Sequence, residues 1–332
     1  MNNKCTIIIP YLDEYKSLIS ILKSLPSWSM LPNQVIIIQT GKDDLILKND
    51  LIELISKLDI SLEIAKCLNA YPGKARNIGL EKNNNEIVAF LDTQTKPNST
   101  WLERGIQLLE NSESHIIWGS TLFDAHSFFQ KAVRASTYGA KPLQTIPGTI
   151  IQSSIITKIG YFIESVRAGE DVDWMRRAES HNILCRNNPS ELNYSGLQDV
   201  NLIFLIKKWY RNYLASGGLP YIRAHKDIYF YFISFFMIVL AFNWNWLSYD
   251  SNIDGWNLST IVYIPNITKI IIALIGLVYF VFRIVYLPIR KGIKVMYLLN
   301  PLNLIFVTWI SVILDITKLF AFVHARYKTL IK

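Results

Sequence analysis

The residues able to do chemistry gather in a few short stretches of this 332-residue chain. The densest is 73–102, GKARNIGLEKNNNEIVAFLDTQTKPNSTWL. A basic turn with Lys74, Arg76 and Asn77 opens a short helix there, and an apolar strand over 87–91 ends on Asp92. A carboxylate at the end of a buried strand, with an arginine nearby, suits a bound phosphate and its counter-ion. A diphosphate–metal site would want a second acid two residues on, where this chain has Gln94. A neutral amide is a poorer ligand than a carboxylate for Mg2+ or Mn2+. Upstream, Asp13 and Glu14 follow Pro10 and Tyr11, and Gln39 ends a second apolar run. Downstream, Glu170, Asp171 and Asp173 lie within four residues. Acids so close raise one another's pKa by repulsion, and at a helix start they also suit the helix dipole. Lys207, Lys208 and Arg211 are interleaved with Trp209 and Tyr210.

The elements that carry these residues alternate. A β-branched run over 6–9 ends at Pro10, and Leu18, Ile21, Leu22 and Leu25 follow at helical spacing. Strands are predicted over 35–38, 61–65 and 87–91, with a helix over 45–58 between the first two. This alternation argues for a parallel sheet with helices on its faces, whose ligands sit beyond the carboxyl ends of the strands. Asp13, Gln39, Arg76 and Asp92 all fall at that edge. Beyond 116 the pattern weakens to strands over 116–119 and 148–153, and the acids at 170–173 open a helix running to about 180.

Charge divides the chain. Residues 200–332 hold 14 Lys and Arg against 4 Asp and Glu, a net of +10, while residues 1–199 have a net of −2. The basic part is also the apolar part, which points to a cytoplasmic membrane face with anionic lipid and away from nucleic acid. Residues 200–216 predict a basic, aromatic, amphipathic helix lying in the membrane interface. Runs at 228–247, 261–287 and 296–323 are long enough to span a bilayer, which makes two or three transmembrane helices. The third contains Asp315 and Lys318, one helical turn apart and able to pair. The acidic loop 248–260 and the basic loop 288–295 set the first face outside and the second inside. Three separated cysteines (Cys5, Cys67, Cys185) show no metal-ligand spacing, and the apolar run before Pro10 is too short for a signal peptide. The N-terminal half is therefore expected in the cytoplasm.

Five segments, IIIPYLDEYKSL at 7–18, VIIIQTGKDD at 35–44, GKARNIGL at 73–80, IVAFLDTQTKPNSTWL at 87–102 and GEDVDWMRR at 169–177, together resemble the ordered motifs of family 2 glycosyltransferases. The resemblance covers about residues 4–200. It implies a GT-A (Rossmann-like) fold, α/β with a mixed, mainly parallel sheet flanked by helices, a nucleotide-sugar donor and inversion at the anomeric carbon. It also implies roles. Pro10, Tyr11, Asp13 and Glu14 would hold the nucleotide, Gln39 takes the place of an acid that reads the nucleobase, and Arg76, with Lys74 beside it, would face the donor diphosphate. Asp92 would hold a divalent metal with donor phosphates and water, Gln94 would stand where the second acid of Asp-x-Asp usually stands, and Asp171 would be the general base, flanked by Glu170 and Asp173.

The chain is thus expected to comprise a cytoplasmic catalytic domain (1–199), an interfacial helix and linker (200–226) and a membrane domain (227–332) in a bacterial-type inner membrane. The expected activity is sugar transfer to a lipid-linked or cell-surface saccharide acceptor. One alternative is a polyprenyl-phosphate monosaccharide synthase, with the acceptor phosphate at Lys207, Lys208 or Arg211. Another is a catalytically inactive scaffold of the same fold.

Overall fold

The computed structural model describes residues 4–42, 45–198, 200–217, 219 and 274–331. The expected span at 228–247 lies outside them, as do residues 261–273 of that at 261–287. Four parallel strands, β1 (Cys5–Tyr11), β2 (Gln34–Gln39), β3 (Ser61–Lys66) and β4 (Ile87–Phe90), are linked by α1 (Tyr15–Ser24), α2 (Asn49–Lys57) and α3 (Pro72–Glu81). The continuously apolar strands follow from burial on both faces. On one face Ile7, Ile9 and Val35 meet Leu18, Leu22, Leu51 and Ile55, and on the other Ile8, Val88 and Phe90 meet Trp118, Phe162 and Trp174.

Strand β1 continues through Pro10, where a strand end was expected. Beyond Ile8 it pairs with β2 alone, so the missing proline N–H falls on an open edge and breaks no ladder bond. The helix expected over 45–58 begins only at Asn49, because Lys48 is extended and the amide oxygen of Gln39 accepts the Leu45 N–H at 3.1 Å.

After α4 (Trp101–Glu110) the sheet changes direction. Strand β7 (Leu143–Gln152) runs antiparallel to both β4 and β6 (Ile116–Phe123). Two short strands, β8 (Cys185–Asn187) and β9 (Leu192–Tyr194), lie parallel to β6, and β9 pairs antiparallel with β5 (Thr95–Lys96). The order is β3-β2-β1-β4-β7-β6-β9-β5, with β8 beside β6. The result is the expected mixed, mainly parallel sheet flanked by helices. The pairing of β9 with β5 returns residues near 194 to the turn that follows Asp92. Helix α7 (Glu170–Ser180) is locked to the sheet by Trp174, stacked on Phe162 and edge-on to Trp118.

Helix α5 (Phe128–Ser136), opened by a capping box between Ser127 and Gln130, carries the remaining helices; α6 (Ile156–Ile159) is a single turn between β7 and α7. Helix α8 (Leu202–Ser216), a π-helical turn (Phe280–Tyr286), α9 (Leu287–Arg290) and α10 (Val295–Leu299) gather around α11 (Pro301–Ile331), which packs against α5. Ala132, Val133 and Ala135 of α5 share one apolar cluster with Leu205, Ile284, Leu298, Val307, Ile310 and Leu314. The run expected at 296–323 is split at Asn300. The residue before a proline avoids helical angles, and Pro301 is suited to a first helical position; Asn300 is extended and its side-chain oxygen accepts the Leu302 and Asn303 N–H groups. From Pro301 the helix is continuous to Ile331. Lys318 Nζ meets Asp315 Oδ1 at 2.9 Å, the pairing their spacing predicts.

Candidate active site

The carboxyl ends of β1 and β4, the start of α7 and one side of α8 enclose a cavity of about 750 Å³. Its floor is the turn after β4. Thr95 donates its backbone N–H and its hydroxyl to the Asp92 carbonyl, at 3.0 and 2.5 Å, and so folds Asp92-Thr93-Gln94 tightly. Ser195, beside β9, holds the Gln94 carbonyl with its N–H and its hydroxyl. Asp92, Thr93 and Gln94 all line the cavity, with Pro10, Tyr11 and Glu14 from β1 and the loop behind it.

Arg76 sits under this floor, 3% exposed, with its guanidinium 5.5 Å above the Phe162 ring. Nη1 donates to Glu170 Oε1 at 3.0 Å and Nη2 to Asp92 Oδ1 at 3.2 Å. Asn77, the next residue, exchanges two bonds with the Phe162 backbone and donates to Glu164 Oε1. One turn of α3 therefore ties β4 to the loop that leads into α7. Gly73 makes this approach close: a Cβ there would stand 2.3 Å from the Ile163 carbonyl oxygen. Gly169, at φ +94°, lies in the left-handed region that favours glycine and turns the chain into α7, with Glu170 and Asp171 at its first positions.

Three carboxylates share this one guanidinium. Burial lowers the Arg76 pKa, but Asp92, Glu170 and Asp171 outweigh it and hold the group above its ordinary value. Burial raises Asp92, with Arg76 opposing. Burial likewise pushes Glu170 up to about 7 against the pull of Arg76, with Asp171 adding to the rise. Glu170 Oε2 is buried without a hydrogen-bond partner. A carboxyl held near neutrality beside an ionised neighbour is an arrangement suited to proton transfer.

The lining also carries cations. Arg167, Lys208 and Arg211 belong to it, and among the described residues none of the three has a carboxylate within ion-pair distance. Burial and Arg211 lower Lys208, and burial and Arg167 lower Arg211. Mutual repulsion of this kind is relieved by a bound anion. Tyr138, Tyr194, Trp209 and Tyr213 add aromatic surface to the same lining. Burial, with Asp92 beside it, raises the Tyr194 phenol, which stays a hydrogen-bond donor at neutral pH.

Of the residues singled out from sequence, Pro10, Tyr11, Glu14, Asp92, Gln94, Glu170, Asp171, Lys208 and Arg211 line the cavity. Arg76 lies directly behind two of them. Five others lie elsewhere. Gln39 is buried against the Leu45 backbone, Lys74, Asp13 and Lys207 are exposed outside the lining, and Asp173 is buried in an ion pair with Arg177 at 2.9 Å. Sequence reasoning missed Arg167, Tyr138 and Tyr194. Arg167 carried only its nearness to the acidic motif as a signal, and the tyrosines arrive through long-range packing and strand pairing.

For a divalent metal, the donors on this floor are one carboxylate already held by Arg76, an amide, and a threonine hydroxyl donating to Glu14 Oε2 at 3.3 Å. No group of three or more His, Cys, Asp or Glu side chains is gathered for a metal among the described residues. This donor set does not fit a metal centre built by the protein's own ligands.

Residues 6–168 match the family model described as "Glycosyl transferase family 2". Among curated proteins, the chain is 24% identical over 113 residues to glycosyltransferase AglE of Haloferax volcanii, covering 31% of this chain and 37% of that protein. It is 25% identical over 193 residues to an uncharacterized glycosyltransferase of Rickettsia bellii, covering 54% and 27%. The chain therefore spans about a third of the length of the curated relatives it matches. Among solved structures it is similar to S. aureus TarS (TM-score 0.40, 15% identity, 64% of this chain and 39% of that one). It is also similar to GalNAc-T7 with UDP, GalNAc and Mn2+ (TM-score 0.45, 12% identity, 58% and 44%).

Proposed function

The chain belongs to glycosyl transferase family 2, and from that premise we propose that it is a membrane-associated, inverting glycosyltransferase. It would move a sugar from a nucleotide-sugar donor to a lipid-linked or cell-surface saccharide acceptor. One observation carries the reading: a single cavity is lined both by the carboxylates Glu14, Asp92, Glu170 and Asp171 and by the cations Arg167, Lys208 and Arg211. Phosphate oxygens and an attacking hydroxyl need opposite partners, and this cavity offers both within reach of one bound molecule.

In this reading the cations bind phosphate and the aromatic side chains hold the sugar and base. Asp171 takes the acceptor proton as the hydroxyl oxygen bonds to the anomeric carbon and the nucleoside diphosphate leaves. Its half-buried carboxylate lies in the first turn of α7, where its Oδ1 accepts the Val172 N–H at 2.8 Å. The second oxygen is left for the acceptor. Arg76 contributes from below by fixing Asp92 and Glu170, and Pro10, Tyr11 and Glu14 border the nucleotide end.

The placement of Lys208 and Arg211 inside the cavity also favours the narrower alternative of a polyprenyl-phosphate monosaccharide synthase. Those two cations would then receive the acceptor phosphate. Radiolabelled nucleotide sugars, supplied with polyprenyl phosphate or with a lipid-linked saccharide, separate the two. Product soluble in organic solvent and formed from the monophosphate selects the synthase. If no donor is turned over and none binds, the protein is a scaffold.

A further inference from the structure

The last helix carries contacts that a membrane-crossing helix would not make. Near its start, Phe306 lies edge-on to Phe128 of α5, and the Ser136 hydroxyl of α5 donates to the Val307 carbonyl at 3.2 Å. In its middle, Lys318 Nζ lies 4.8 Å from the Trp209 ring of α8. Near its end, Tyr210 of α8 is 2.6 Å from His324 Nδ1, and Ala325 packs against Gly217. From Phe306 to Ala325 is about 28 Å of helix at ~1.5 Å per residue. Over that length α11 stays against α5 and then α8, which itself lines the catalytic cavity. A helix crossing a bilayer of ~30 Å would have to leave a water-borne domain over the same distance.

The outer side of α11 is apolar. Leu302, Ile305, Trp309, Ile316, Phe320 and Tyr327 recur at intervals of three, four and seven residues and are between 46% and 67% exposed. Such spacing makes one continuous stripe. Its surroundings are cationic: residues 274–332 hold eight Lys and Arg against one acid, Asp315. That acid is turned inward to Arg283 at 2.6 Å and to Lys318, while Arg290, Lys294 and Lys328 are exposed. An apolar stripe with cations around it and no exposed acid complements an anionic lipid surface.

We infer that α11 lies in the plane of an anionic bilayer surface, flat along the catalytic domain, with its outer stripe in the lipid. The inference rests on the membrane association proposed above and gives it a geometry. Both ends of the helix, and the mouth of the catalytic cavity beside α8, are then on one side of the membrane.

The test uses the full chain with Cys67 and Cys185 replaced by serine. Spin labels are placed one at a time at Leu302→Cys, Trp309→Cys, Ile316→Cys, Phe320→Cys and Tyr327→Cys, in vesicles of phosphatidylcholine and phosphatidylglycerol. Depth is read from the relaxation produced by oxygen and by a water-soluble nickel chelate. All five labels are expected at one shallow depth, within about 5 Å of each other and roughly 5–10 Å below the headgroups. A profile with Ile316 about 15 Å deeper than Leu302 and Tyr327 means a crossing helix and overturns the inference. Labels shielded from both reagents mean that protein covers the stripe, which also overturns it. Failure of the protein to bind vesicles at all refutes membrane association itself. As a second readout, Lys328→Cys should react with an impermeant maleimide from the same side as Lys16→Cys on α1; reaction from opposite sides overturns the inference.

Discussion

Glu170 gives the sharpest test of the electrostatics. Its side chain is 6% exposed, one oxygen meets Arg76 and the other has no hydrogen-bond partner. Burial raises its pKa from 4.5 to about 7. The native state therefore keeps a proton that the unfolded chain gives up at lower pH. Stability falls wherever the native state binds more protons than the unfolded one. The contribution is fully present below about pH 4.5 and is lost as the pH rises through 7. A difference of that size corresponds to about 3 kcal/mol at ~1.4 kcal/mol per unit. Glu170→Gln keeps the shape and removes the titration. Denaturant unfolding of the detergent-solubilised protein, at a series of pH values from 4 to 8, should show the variant gaining about 3 kcal/mol on the parent across that window. At pH 4 the two should be close, because an amide then replaces a neutral acid. Curves that stay parallel would show that Glu170 is ionised throughout, so that Arg76 overcomes burial and the shared-charge reading of the site is wrong.

Four further outcomes are expected. Asp171→Asn should lower single-turnover transfer by roughly 10²–10⁴ while leaving donor affinity within a few-fold of the parent, and unchanged turnover would remove Asp171 as the base. Arg167→Met and Lys208→Met should each weaken nucleoside-diphosphate binding by roughly 10–100-fold in calorimetry, with a shallower salt dependence, since each removes a charged donor to phosphate. Gly169→Ala should cost about 1–2 kcal/mol in thermal unfolding because φ +94° strains any side chain, and it should depress turnover by shifting Asp171. Asp92→Ala should lose donor binding more than Gln94→Ala does, and chelation should lower transfer less than either Asp92→Ala or Asp171→Asn. Equal loss in both floor variants, with strict Mn2+ dependence, would show that Gln94 serves as a metal ligand.

The parallel half of the fold was legible because each of its strands is a short apolar run next to its own helix, so pattern and pairing are both local. The acids and Arg76 were legible for the same reason, since each ends or begins such an element. The other half of the site was not. Tyr194 reaches the cavity because β9 pairs with β5, and three-residue and two-residue strands leave no periodic signal. Gln39 looked like a ligand because it ends a strand at the right edge, yet its amide is used to close the loop to Leu45. Asp173 looked equivalent to Asp171, but two residues along a helix is a rotation of about 200°, which turns it to Arg177 and the domain interior. Lys207, Lys208 and Arg211 stand together in the sequence as candidates for an acceptor phosphate, and helical geometry separates them, bringing Lys208 and Arg211 to the cavity with Lys207 on the exposed side.

The charges inside the C-terminal helices are better understood as a device for orientation than for stability. Asp315 receives Arg283, Lys318 and the Tyr279 hydroxyl, and Arg283 also donates to the Ser136 carbonyl of α5 at 3.0 Å. Replacing a buried ion pair with apolar side chains is often neutral or stabilising, so the cluster is weak support for added stability. What it does constrain is rotation. Most other side chains on α11 are apolar, and a largely apolar helix could pack by several faces with similar burial. Turning it by one residue, about 100°, would take Asp315 away from Arg283 and leave charge unpaired in an apolar cluster. That penalty selects the one rotation that sets Val307, Ile310 and Leu314 against α5 and leaves Trp309, Ile316 and Phe320 outward. Because Lys318 also sits over Trp209, a residue of the cavity wall, the same contact that fixes the outer stripe fixes α8 over the acids of the site. The outer stripe of α11 and the acids of the cavity are thereby held in register by one small network of charge.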